Sequence, residues 1–279
     1  MPALRREWGA VKRGDVFTIV PLADVHLGNA ASDEKLFGSV VQRIRDDPDC
    51  YWVGLGDYCE FINRSDKRFS VTALADWLRV EHLADLARAQ RDRFLDYVLP
   101  IADKCLGLVS GNHETAIKKY YERDIHYEIV QAIKQAAGHP PEYRLGLDVC
   151  GWMLLVFMRD GVRTRRSLKL YLHHGFVGGK LAGAKALNMQ RWLWTHDADL
   201  VLFGHSHNTG VQVEAVEGLS RGGKVTYSHR MGAYAGTFMR GAEYAQQKGY
   251  FPLPLSQIEV VLRPGAVEQR DRLRVVTIG

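Results

Sequence analysis

Carboxylates, a carboxamide and imidazoles recur in this sequence in five short groups: Asp24 and His26 in ADVHLG, Asp57 in GLGD, Asn112 and His113 in SGNHE, His173 and His174 in LHHG, and His205 and His207 in GHSH. The set offers oxygen and nitrogen donors without a thiolate, which suits Mn, Fe, Co, Ni or Zn and does not suit an all-oxygen Mg or Ca site. It holds too many donors for one tetrahedral ion. Divided between two ions that share one carboxylate, it makes a two-metal hydrolytic centre with the ions roughly 3.5–4 Å apart. Two divalent cations bring more positive charge than Asp24 and Asp57 cancel, so the surplus favours a phosphate substrate. The paired cations would turn a water into a hydroxide for in-line attack on phosphorus.

Each donor group follows a short apolar run, so strands ending side by side would gather all five in one cleft, as open α/β sheets do. The runs Val16 to Val20, Tyr51 to Leu55, Cys105 to Val109, Ser167 to Leu172 and Leu200 to Phe203 are the strands that would deliver them. Helices are expected from Ser32 to Arg45 with Ser32 as cap, from Asp124 to Ala137, and from Ala184 to Thr195. A mostly helical excursion between about residues 58 and 100, with its helical part from Ser70 to Val98 and its end at Pro100, is expected over the active face. Further strands are expected at Tyr143 to Val149, Trp152 to Met158, Val211 to Val216, Lys224 to Ser228, Ile258 to Leu262 and Leu273 to Ile278. Strands alternating with helices make an α/β protein, and the absence of repeats or a low-complexity linker favours a single domain over residues 1–279 with two sheets facing each other.

The chain has 279 residues, 46% hydrophobic and 25% charged, a balance that disfavours both disorder and membrane spanning. The apolar stretch Val16 to Ala23 is too short to cross a bilayer, and the basic segment Met1 to Arg13 lacks the apolar run of a signal peptide. Four cysteines, Cys50, Cys59, Cys105 and Cys150, show neither CxxC spacing nor the density of a disulfide scaffold. Free thiols in a reducing cytoplasm follow. A net charge of +5 lends weak support to a nucleic-acid partner.

Taken together, D-x-H, GD, GNHE, H and GHxH, in this order over residues 17 to about 210, resemble the calcineurin-like metallophosphoesterase superfamily. The resemblance implies a four-layer α/β/β/α sandwich of two mixed sheets with the metal site at the carboxyl ends of the strands. It also implies two divalent transition-metal ions, with Mn expected first and Fe, Zn, Ni or Co as alternatives. By the family pattern Asp24, His26, Asp57 and His207 hold one ion, and Asp57 bridges to a second held by Asn112, His205 and a histidine of LHHG. Adjacent histidines on a strand point to opposite faces. His174 is preferred because members often show His-Gly there, and His173 stays the alternative metal or phosphate contact.

His113 is, by the same resemblance, not a ligand but the group that contacts phosphate and protonates the leaving oxygen, a role that suits a pKa near neutrality. Gly56 to Glu60 resemble the GDxxD of serine/threonine phosphatases, which puts Glu60 where an acid orients that histidine. Phe61 and Ile62 stand where those phosphatases carry Arg-Gly, which argues against protein-phosphatase activity. ADVHLG is closer to DNA-processing nucleases and some lipid-precursor pyrophosphatases. The implied activity is hydrolysis of phosphate esters, phosphodiesters first and DNA or RNA among them. Monoester or nucleotide-pyrophosphate hydrolysis, or a non-catalytic scaffold of the same fold, are the competing readings.

Other features carry less. Arg88, Arg91 and Arg93 could meet a phosphate backbone, but Asp85, Asp92 and Asp96 interleave and favour a solvated face. The glycine-rich Gly175 to Gly183 with Lys180 reads equally as a phosphate wrap and as a loop. Trp192, Trp194, Tyr227, Tyr234, Phe238, Tyr244, Tyr250 and Phe251 fit core packing better than base stacking, and His82, His126, His139, His196 and His229 lack partners that would make them ligands.

Overall fold

A computed structural model describes residues 3–62, 66, 68–159, 165–175, 181–241 and 255–278. Strands β1 (Leu4–Val11), β5 (Cys150–Arg159), β6 (Arg165–His173), β7 (Leu200–Phe203), β8 (Thr209–Leu219) and β9 (Val225–Thr237) make one half of the sheet network. The other half contains β2 (Phe17–Leu22), β3 (Cys50–Gly54), β4 (Cys105–Leu108), β10 (Ser256–Leu262) and β11 (Leu273–Ile278). The end of β9 joins the halves, where Gly236 and Thr237 pair with Gln257 and Ser256 of β10.

Strand directions explain where the donors end up. β2, β3 and β4 are mutually parallel, as are β6, β7 and β9. Because β10 runs antiparallel to both β2 and β9, the two parallel groups run the same way. The five strands that precede the donor groups therefore finish at one edge of the molecule.

Three apolar cores hold these strands. Ile19, Val53, Leu55 and Leu106 meet Leu170, Leu172, Leu200, Leu202, Ile258 and Val260 in a core lined by both halves. On the opposite side of β2 and β3, Val20, Leu22 and Trp52 pack under Phe37 and Ile44 of α1 (Glu34–Asp46), Phe94 and Val98 of α2 (Leu86–Val98), and Ile129 and Ile133 of α4 (Ile125–Ala136). Every residue of β2 is buried, as a strand covered on both faces must be. The third core sets Tyr171, Val201 and Phe203 against Met189 and Leu193 of α5 (Ala182–Thr195). Among the described residues no helix is long and apolar enough to cross a membrane.

Three local expectations need correction, and one helix was not expected. Asp33, not Ser32, caps α1 by accepting from the Leu36 amide at 2.9 Å, while the Ser32 hydroxyl donates to the Val25 carbonyl. The excursion is helical only from Leu86 onward, preceded by 3-10 turns at Val71–Ala73 and Val80–Ala84. Residues 143–149 form no strand and touch β4 through one bridge, Leu108 to Gly146. A helix, α3 (Asn112–Tyr121), begins directly at the GNHE group. The cap has a measurable share in stability: Asp33→Ala should lower the unfolding free energy by about 1 kcal/mol in urea denaturation, with Asp33→Asn recovering most of it.

Candidate metal centre

The loops after β2 and β3 are laced together by main-chain bonds. Asp24 N donates to Gly56 O, Val25 N and His26 N both donate to Asp57 O, and Leu27 N donates to Tyr58 O. Asp24, His26, Asp57, His205 and His207 all adopt left-handed backbone, with φ between 50 and 61°. Non-glycine residues in that region carry strain of about 1 kcal/mol or more each, which the packed surroundings must hold. Glycines let the loops close in: a Cβ on Gly56 would sit 2.5 Å from the Gly111 main chain and 2.7 Å from His174 Nδ1.

Among the described residues His26 with Glu60 and His113 forms one cluster whose donor atoms lie within 4.8 Å of one another, and two further donor groups meet the same limit, Asp24 with His26 and His207, and Asp57 with His174 and His205. Asp57 stands between them. Its Oδ2 is 3.9 Å from His26 Nε2 and 3.3 Å from His174 Nε2, and its Oδ1 accepts from the His113 amide at 2.9 Å. His174 Nε2 also lies 2.9 Å from Asn112 Oδ1, which brings the carboxamide to the second group.

Tautomers are set from outside the centre. His174 Nδ1 donates to the Leu55 carbonyl at 2.7 Å, and His26 Nδ1 donates to Glu60 Oε2 at 3.0 Å, so in both rings Nε2 is the nitrogen turned inward. His26 Nε2 and His207 Nε2 stand 3.3 Å apart, two nitrogens aimed at one space. Among the described residues His205 Nδ1 is buried without a hydrogen-bond partner, and buried Asp24 Oδ1 has only ion-pair approaches, the nearer from His207 Nε2 at 3.4 Å. Nε2 atoms turned inward and buried polar atoms left without hydrogen-bond partners are what a divalent cation would satisfy, and these residues fit one.

The electrostatics agree with that fit. Burial works against the Asp57 charge, yet the neighbouring His174 and His113 hold its carboxyl well below the usual range. Asp24 is likewise held low, His207 overcoming the effect of burial. His174 is pushed up to about 10: burial opposes its charge, and Asp57 outweighs burial. His207 and His113 are also raised against burial, by Asp24 and Asp57 respectively. His205 is lowered by burial and by His174.

Of the two adjacent histidines, His174 faces the donors. His173 shares the strand face of Tyr171 and packs among Tyr171, Trp192 and Phe203 under α5, where burial pulls its pKa down to about 4. Glu60 differs from expectation. Its carboxylate bonds His26, and the group that meets His113 Nδ1 is the Glu60 main-chain carbonyl. Phe61 is buried in the helix-side core and offers nothing to a phosphate.

Glu114 is a residue that motif reading passed over. Fully buried, it accepts from the amides of Asp57 at 3.0 Å, Tyr58 at 2.9 Å and Gly111 at 2.8 Å, tying the GD loop to the GNHE loop. Burial and the adjacent Asp57 charge raise its pKa to about 7. The spacing Gly111 to Glu114 is that of a helix cap with its third-position acid, the one signal that could have exposed it. The arginines considered for nucleic acid are engaged elsewhere: Arg91 with Asp92 and Glu128, Arg93 with Glu34, Arg88 with Asp92. Lys180, Tyr244, Tyr250 and Phe251 lie outside the described residues.

No protein-family model and no curated protein matches the chain. Solved structures similar to it include a predicted phosphoesterase from Streptococcus pneumoniae, 11% identical, covering 95% of this chain and 99% of that one at a TM-score of 0.34. A metallophosphoesterase from Sphaerobacter thermophilus is 12% identical, covering 95% and 89% at 0.36. Vps29 from Entamoeba histolytica, complexed with zinc, is 11% identical, covering 94% and 98% at 0.35. Two of the three are named as phosphoesterases, the class that the motifs resemble. At TM-scores below one half the likeness supplies no functional argument; the donor geometry does.

Two substitutions test that geometry. His174→Ala should lower the Mn retained after dialysis, measured by elemental analysis, by about half, whereas His173→Ala should retain it. Glu60→Gln should weaken Mn binding by roughly 10- to 100-fold in calorimetric titration, because it loosens His26 from behind. Unchanged affinity in Glu60→Gln would remove Glu60 from the centre.

Proposed function

We propose that this chain is a metal-dependent phosphoesterase of the calcineurin-like metallophosphoesterase superfamily, using two divalent ions, Mn first, to hydrolyse phosphodiesters. The observation that carries the reading is the Asp57 carboxylate set between two donor groups, 3.9 Å from His26 Nε2 and 3.3 Å from His174 Nε2. Asp24, His26 and His207 would hold one ion, Asn112, His174 and His205 the other, with Asp57 common to both. When bound, the ions would supply positive charge to the phosphoryl oxygens and acidify an attacking water. The three cores are read as the seams of a four-layer α/β/β/α sandwich in one domain.

The chain's own residues divide the remaining work. Asp57 is held in place by the His113 amide, and Asp24 by the His205 amide on Oδ2 at 2.7 Å. His113 has Nδ1 anchored at the Glu60 carbonyl, which leaves Nε2 as the nitrogen for proton transfer. Asp57 and Glu60 raise its pKa, which favours the protonated form that would donate to the leaving oxygen as the ester bond breaks.

Hydrolysis of bis(p-nitrophenyl) phosphate is expected to exceed that of p-nitrophenyl phosphate, to stop with EDTA and to return with Mn. His113→Ala should lower kcat by roughly 10²- to 10⁴-fold while the Mn content stays unchanged. Turnover of neither ester by metal-loaded protein would make the chain a binding scaffold. A monoester preference would shift the substrate class. If nucleic acid is bound, affinity should fall steeply with salt.

A further inference from the structure

Gln90 lies on α2, outside every donor group, yet its side chain is fully buried between the two loops that carry His26 and Glu60. Its Oε1 accepts from the Phe61 amide at 2.7 Å, and its main-chain carbonyl accepts from Cys59 Sγ at 3.2 Å, so two residues flanking Glu60 are fastened to one helical residue. On its other side Gln90 presses on Gly28: a Cβ there would come 2.5 Å from Gln90 Cδ and 2.7 Å from Cγ. Gly28, with φ at +97°, admits the amide where a side chain would exclude it. The two loops meet directly as well, through Leu27 N to Tyr58 O at 3.2 Å and Glu60 N to Leu27 O at 2.9 Å.

The Phe61 bond has a particular consequence. Phe61 adopts left-handed backbone, φ 51°, immediately after Glu60, a conformation disfavoured for a bulky residue. A buried amide without an acceptor is costly, so the Gln90 carboxamide both satisfies Phe61 and fixes the turn that aims the Glu60 carboxylate at His26 Nδ1. The same turn points the Glu60 carbonyl at His113 Nδ1. We propose that Gln90 is a positioning residue: from behind the centre it clamps the two loops so that Glu60 sets the tautomer of His26 and anchors His113. Its functional consequence rests on His26 being a metal ligand; its geometry does not.

The test separates the two. Gln90→Met keeps an unbranched side chain of similar length in the helix and removes the acceptor, whereas Gln90→Glu retains an acceptor for Phe61. In metal-free protein the His26 Nδ1–H bonded to Glu60 should give a slowly exchanging low-field imidazole proton, assigned by its loss in His26→Asn. The signal should disappear in Gln90→Met, with folding intact by circular dichroism, and return in Gln90→Glu. Mn affinity in Gln90→Met should fall by roughly tenfold or more. A folded Gln90→Met protein that keeps the His26 signal overturns the proposal. Should Gln90→Met fail to fold, hydrogen exchange in the unmodified protein decides: protection of the Phe61 amide together with those of Leu27 and Glu60 supports the clamp, and free exchange at Phe61 overturns it. Unmodified protein that binds no Mn refutes the metal reading alone, since the imidazole signal and the exchange pattern are read without metal.

Discussion

The carboxylate of Asp57 has to serve three neighbours from a fully buried position, and the architecture around it follows from that demand. One oxygen takes the His113 amide and the other lies near both His26 and His174. A carboxylate so placed cannot tolerate much displacement, because each partner arrives from a different strand end. Burial alone would neutralise it; the raised imidazoles of His174 and His113 keep it ionised instead. The buried acids raise the pKa of His174, His207 and His113 and so favour their protonated forms, which means that cations and protons compete for the same charge deficit.

Holding such a cluster requires rigidity behind it. Five donors sit in left-handed backbone, and the close approach of Gly56 to Gly111 leaves no room for either loop to relax toward the other. Glu114 gathers three amides beneath Asp57, Leu55 receives the back of His174, and Glu60 receives the back of His26. The strain is local and its restraints are polar. Such a site is positioned by hydrogen bonds more than by apolar packing, which lies deeper, in the cores that fix the strands.

Much of this was legible in the residues. Short apolar runs before each donor group announced the strands, because a strand covered on both faces needs a continuous apolar stretch, as Phe17–Leu22 has. The choice between His173 and His174 was not legible, since parity depends on which face of β6 meets the other half; Leu170 and Leu172 on the inner core settle it by placing Tyr171 and His173 outward. β1 was missed because Arg5, Arg6 and Glu7 interrupt Leu4–Val11 and its place depends on a parallel partner about 150 residues away. The helical period before Leu86 misled because its apolar residues serve turns rather than one helix face. Gln90 could not be separated from ordinary helix polars by sequence alone, for its role comes from a long-range contact with a loop amide, and Glu114 showed only its cap spacing to Gly111.

The position of β10 between β9 and β2 bears on how the molecule is made. Ile19 of β2 pairs with Val260 of β10, 241 positions later. At ribosomal elongation rates that gap is on the order of ten to fifty seconds. Throughout it the β2, β3 and β4 ladder has an open apolar edge, the kind of template that recruits other chains. The donors on β2 to β4 and those on β6 and β7 also cannot share their native frame until Leu262 has been made, because β10 joins the two halves. Ions that coordinate a partial set of donors during synthesis would thus meet a half-built site, and correct loading belongs to the finished chain rather than to the nascent one.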